Sequence, residues 1–149
     1  MKKYLLDSNI LSEPSKPVPH ERVVSLLKKN RKDSAVSVLS YFEMLHGVLA
    51  LPDGKRKERL MAYLEETVVP FYDFLAFDFA CAKTNAEIIA KLESVGKPLP
   101  VIDSQIAAVA LAKDLTLVTR NVKDFEPIQA HFPLKIENWF DENAEQTRP

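Results

Sequence analysis

Cysteine is almost absent from this chain of 149 residues: Cys81 stands alone. An internal disulfide is therefore impossible, and a zinc site built on cysteines is excluded, which fits a reducing, cytoplasmic setting. Glycine is nearly as scarce, at three residues. Neither G-x-x-x-x-G-K-[ST] nor G-x-G-x-x-G occurs, so a glycine loop cradling phosphates is not expected. No stretch approaches the run of apolar residues that a membrane span needs. The opening Met1-Lys2-Lys3 begins like a secretory leader, but the apolar Tyr4-Leu5-Leu6 stops at Asp7. Charge of one sign is also lacking. Lys and Arg number 20 against 21 Asp and Glu, for a net charge of −1. No global field draws nucleic acid, so any polyanion site must be local.

What is present is an ordinary globular composition, 46% hydrophobic and 28% charged. The length fits one domain, expected over 1–140, with a polar tail over 141–149. Short β-branched or apolar runs read as strands near 3–6, 35–39, 71–77, 115–119 and 134–136. Helical spacing is expected over about 20–30, 40–51, 55–67, 79–95 and 101–113, with Gly96 and Pro98 as a stop signal. Strands alternating with helices predict an α/β fold around a mostly parallel sheet. Such sheets place ligands at the carboxyl ends of their strands.

Three acids sit in apolar sequence. Asp7 closes Leu5-Leu6-Asp7-Ser8-Asn9, Glu43 lies in Tyr41-Phe42-Glu43-Met44-Leu45, and Asp103 lies in Val101-Ile102-Asp103-Ser104-Gln105-Ile106. On a helix Asp103 shares its face with Ile106, Ala107 and Ala110, and Glu43 with Leu39, His46, Gly47 and Ala50. An ionised carboxylate buried there costs several kcal/mol unless something compensates it. A hard divalent cation, Mg²⁺ or Mn²⁺, removes both the burial cost and the mutual repulsion. Each acid also has a plainer reading. Asp7 suits a helix N-cap, Ser40-x-x-Glu43 spells a capping box, and Asp103 complements a helix dipole. Joint placement near strand ends and helix starts favours a shared site.

Other groupings carry less. Glu43-x-x-His46 has di-iron spacing, but a bundle site needs two such pairs. His20, His46 and His131 are too scattered for zinc. Cys81 lies between Ala80 and Ala82 and reads as a structural thiol. Lys55, Arg56, Lys57 and Arg59 form one basic group and Lys28, Lys29, Arg31 and Lys32 another; both read first as solvated helix faces. Arg120, at a strand's carboxyl end, is placed to meet a phosphate.

Together these segments resemble the PIN-domain ribonucleases, most closely the VapC-type toxins of toxin–antitoxin pairs. The resemblance runs from about Lys3 to Phe140. Leu5-Leu6-Asp7-Ser8-Asn9 is similar to the family's opening strand with its first acid. Phe42-Glu43-Met44-Leu45-His46-Gly47 and Pro100-Val101-Ile102-Asp103-Ser104 are similar to the segments holding the second and third. Leu117-Val118-Thr119-Arg120-Asn121-Val122-Lys123-Asp124 is similar to the strand and turn carrying a fourth position, and Ile136-Glu137-Asn138-Trp139 fits the closing segment. That fourth position is often Asp in the family. Here it is Asn121, with Asp124 three residues on as the other candidate.

The resemblance implies a three-layer α/β/α fold and a metal-dependent endoribonuclease. Asp7, Glu43 and Asp103 would hold Mg²⁺ or Mn²⁺, with Asn121 or Asp124 assisting. Ser8 and Asn9 would support Asp7, and Ser104 would support Asp103. Arg120 and Lys123 would grip the RNA backbone. The substrate would be a structured RNA such as transfer RNA, the partner a cognate antitoxin, and the state a homodimer. The apolar sets Val23-Val24-Leu26-Leu27 and Leu60-Met61-Leu64 would be docking surfaces or simply face the core. Two other readings remain open. One is an aspartyl phosphohydrolase with Asp7 as nucleophile, against which Asn9 stands where a second acid is wanted. The other is a non-catalytic PIN-like regulator that binds RNA or protein.

Overall fold

The computed structural model describes residues 1–141. The expected polar tail lies, past Asp141, outside the described residues. Five strands form one parallel sheet: β1 (Tyr4–Leu6), β2 (Ser34–Ser37), β3 (Asp73–Leu75), β4 (Thr116–Val118) and β5 (Ile136–Glu137), in the order β3-β2-β1-β4-β5. β1 lies at the centre, pairing Leu5 with Ala35 on one side and Leu6 with Val118 on the other. All five carboxyl ends therefore meet at one edge.

The side-chain period of two then builds the layers. Leu5 faces one core with Cys81, Ile88, Ile106, Leu117 and Phe125. Leu6 faces the other with Ile10, Val23, Val36, Leu64 and Val118. The first core is closed by α5 (Phe79–Ser94), α6 (Val101–Ala112) and α7 (Val122–Gln129). The second is closed by α1 (Ser8–Leu11), α2 (Glu21–Asn30) and a π-helical turn (Tyr63–Val68) that extends α4 (Lys55–Ala62). With α3 (Val38–Leu49), seven helices cover both faces in the expected α/β/α arrangement. Of the apolar sets in α2 and in α4 with its π-helical extension, Val23, Leu27 and Leu64 are spent on the core, while Val24, Leu26, Leu60 and Met61 are half-buried.

Several boundaries depart from expectation. β2 ends at Ser37, which caps α3 by accepting from Leu39 N (3.1 Å), so the helix starts two residues before Ser40. Ser40 lies fully buried inside the helix, and Ser40-x-x-Glu43 is not a capping box. Glu43 thereby loses its plainer role. The expected helix 55–67 changes pitch at Tyr63. The closing strand is Ile136–Glu137, displaced from 134–136. Two helices had no clear sequence signal. α1 is a single turn, and α7 carries Pro127 inside it, held by burial of Phe125 and Ile128 on one face.

Candidate active site

Asp7 follows β1 directly and is only 7% exposed. The expected role of helix cap applies to it. Its Oδ1 accepts from Ser8 N at 2.8 Å, capping α1, and its Oδ2 accepts from Thr119 Oγ1 at 2.9 Å and Asn9 Nδ2 at 3.3 Å. Burial pushes its carboxyl pKa up, and these hydrogen bonds only partly offset that. The nearby charge of Asp124 adds to the rise.

Thr119 is the residue that sequence reasoning missed. It is fully buried, and its hydroxyl donates to Asp7 while accepting from Asn9 Nδ2 (3.3 Å) and Asn121 N (3.1 Å). That uses all the capacity of a hydroxyl. Asn9 Oδ1 also accepts from Arg120 N at 3.0 Å. One network therefore locks the β1–α1 junction to the β4–α7 junction. Asn9 behaves as the expected support for Asp7, and so does the Ser8 backbone. The only available signal for Thr119 was its place at the end of a strand destined to lie beside β1.

Glu43 comes from α3 and Asp103 from the first turn of α6; both are half-buried. Burial first, and then the charges of Asp7 and Asp103, push the Glu43 carboxyl up to about 7, against an opposing hydrogen bond from the Ser8 side chain. Asp103 is raised by burial, then by Asp7 and Asp124. Glu43 Oε1 is buried without a hydrogen-bond partner. Asp7, Glu43, Asp103 and Asn121 line a single cleft of about 660 Å³. Among the described residues, no basic side chain forms an ion pair with any of the three acids.

This donor set fits a divalent cation: hard oxygens, an orphaned carboxylate atom, and acids whose charges raise the pKa of Glu43 and Asp103 with no ion pair among the described residues to offset them. The acids do not close on a common point. Among the described residues, no group of three His, Cys, Asp or Glu stands ready to clasp an ion.

The structure places the other supporting residues as follows. Ser104 donates its hydroxyl to Val101 O (2.9 Å) within its own helix and not to Asp103. The guanidinium of Arg120 lies over the Phe140 ring, 4.4 Å from its centroid, and neither Arg120 nor Lys123 lines the cleft. Lys16, Arg56 and Arg59 line it instead. Asn121 is in the cleft wall, whereas Asp124 acts on Asp7 and Asp103 only through its charge.

Comparison with known proteins agrees with this geometry. The PIN domain family matches residues 4–128. Toxin FitB of Neisseria gonorrhoeae is 36% identical over 124 residues, covering 81% of this chain and 89% of that protein. A tRNA(fMet)-specific endonuclease VapC of Shigella flexneri is 30% identical over 139 residues, covering 93% of this chain and 99% of that one. The crystal structure of FitAcB from Neisseria gonorrhoeae superposes with a TM-score of 0.82 at 33% identity, over 92% of this chain and 98% of that chain. A central β1 that delivers an acid to a cleft shared with acids from two helices is thus found in a chain that belongs to the PIN domain family.

Proposed function

We propose that this protein is a divalent-cation-dependent endoribonuclease, acting as the toxin of a toxin–antitoxin pair. The observation that carries the reading is that Asp7, Glu43 and Asp103 line one cleft, with Asp7 raising the pKa of both others and, among the described residues, no basic side chain in an ion pair with any of them. These three would hold Mg²⁺ or Mn²⁺, with Asn121 beside them. When bound, the cation supplies charge to a phosphate oxygen and acidity to water. Asp7 is fixed by Thr119, Asn9 and Ser8 and so sets the position of the first ligand. Glu43 Oε1, buried and unpartnered, is the acceptor that orients the attacking water. In-line attack at phosphorus breaks the bond to the 3′ oxygen, which leaves with a proton; the products carry a 5′-phosphate and a 3′-hydroxyl.

The names of the relatives support RNA as substrate, and a structured RNA such as transfer RNA as the class. A cognate antitoxin as partner is supported by the relative named Toxin FitB, and we extend the proposal to a cytoplasmic homodimer. No described helix is long and apolar enough to cross a membrane. A covalent aspartyl mechanism is disfavoured, because Asn9 stands where such a mechanism wants a second acid.

The test is cleavage of RNA by the purified chain with Mn²⁺ or Mg²⁺. Asp103→Asn should lower the rate by about 100-fold or more while circular dichroism stays unchanged. Undiminished cutting in a chelator, or by Asp103→Asn, refutes the reading.

A further inference from the structure

The basic run Lys55-Arg56-Lys57-Arg59 does not act as one solvated face. Lys57 turns to the α3–α4 connection, where its Nζ donates to Leu49 O and Asp53 Oδ1, both at 3.2 Å. Arg56, Arg59, Leu60 and Tyr63 recur at three, four and seven residues and share another side, which lines the cleft. Lys16 joins them from the loop before α2. The cleft lining therefore holds three carboxylates and three cations.

Arg59 and Lys16 are held in place, and none of the three cations is neutralised by the acid triad. Arg59 Nη1 donates to Ser15 O at 2.7 Å, tying α4 to the segment that carries Lys16. Tyr63 donates its hydroxyl to Leu11 O at 2.6 Å, fixing the same helix against α1, next to Asp7 and Ser8. Lys16 pairs at 2.9 Å with Glu13, outside the acid triad, and is half-exposed. Among the described residues Arg56 has no ion-pair partner and is exposed. One bond to a carbonyl leaves most of Arg59's five donors unused. With a dication among the acids, the cleft as a whole becomes positive.

We infer that Arg56, Arg59 and Lys16 grip the RNA backbone on the cleft wall facing the carboxylates, in the place that Arg120 and Lys123 do not fill. This rests on the ribonuclease reading above. Guanidinium forks match phosphate oxygens, and their placement here sets the strand's path across the acids. These are binding residues, and their loss weakens attachment more than turnover.

The experiment is steady-state cleavage of a labelled RNA stem-loop by the full chain with Mn²⁺ over a range of salt. Arg56→Ala should raise KM about 10-fold with kcat little changed. The slope of log(kcat/KM) against log salt should become shallower by about 0.7 to 1. Lys16→Ala should behave alike, and Arg56→Lys should recover most of the loss. If the K16A/R56A double variant keeps the parent's KM and salt slope while the parent cuts RNA, the grip is refuted and the nuclease reading stands. If that variant binds RNA normally but no longer holds a protein antitoxin, the cations serve a protein partner and the inference is likewise overturned. A parent that cuts no RNA sinks the ribonuclease reading, and the grip with it.

Discussion

Replacing Glu43 with glutamine removes one negative charge from the cleft and keeps its shape. In the folded chain this carboxyl is pushed from its ordinary 4.5 up to about 7. The folded state thus holds the proton more tightly than the unfolded state. Its contribution to stability is full below about pH 4.5 and is lost as pH rises through about 7. Taken whole, that difference corresponds to about 3 kcal/mol. Glu43 is only half-buried and solvent screens it, which reduces the expected effect to about 1 to 2 kcal/mol. The assay is urea denaturation of metal-free protein at pH 5 and pH 8. The parent should lose about 1 to 2 kcal/mol more than E43Q over this interval. Asp7 and Asp103 are raised too, so they act in the same direction in both proteins. Glu13 and Asp78 are lowered, so they contribute stability above the ordinary carboxylate range and lose it only at more acid pH. Saturating Mn²⁺ at pH 8 should restore the parent and do less for E43Q. Parallel pH profiles for the two proteins would refute the claim that crowding in the cleft acts on Glu43.

Two further substitutions probe the walls of the site. Thr119→Val removes the donor to Asp7 and leaves Asn9 Nδ2 and Asn121 N short of an acceptor. It should cost about 1 to 3 kcal/mol in urea denaturation, and a loss below about 0.5 kcal/mol would contradict the network's role. Asn121→Asp places a fourth carboxylate in the cleft. Calorimetric titration should show Mn²⁺ bound about fivefold to tenfold tighter, and an unchanged affinity would remove Asn121 from the ligand shell.

The sheet and the acids were legible because each signal is local. A short apolar run ending in Asp7 is a strand that stops at an acid, whatever surrounds it. The same holds for Asp103, embedded between Ile102 and Ile106. Helix phase was harder to read. Ser37 and Ser40 are equally good caps in sequence, and the pairing of Ser37 with Leu75 decides where β2 ends. Arg56 and Lys57 look alike in a charge run, yet adjacent helical positions point about 100° apart, so one enters the cleft and the other does not. Thr119 was invisible because its partner Asp7 is 112 residues away in sequence. Arg120 occupied the expected strand end, but its contact with Phe140 draws its guanidinium elsewhere.

The first of the described strands along the chain, β1, is the middle strand of the sheet, and one of its two neighbours is Thr116–Val118. At typical rates of synthesis that neighbour emerges roughly ten seconds later. Until then Asp7 lacks the hydroxyl that fixes it, and Asp103 has only just been added. A chain that stops short of Thr119 therefore lacks the hydroxyl that fixes Asp7, and the cleft is assembled only once β4 has been made.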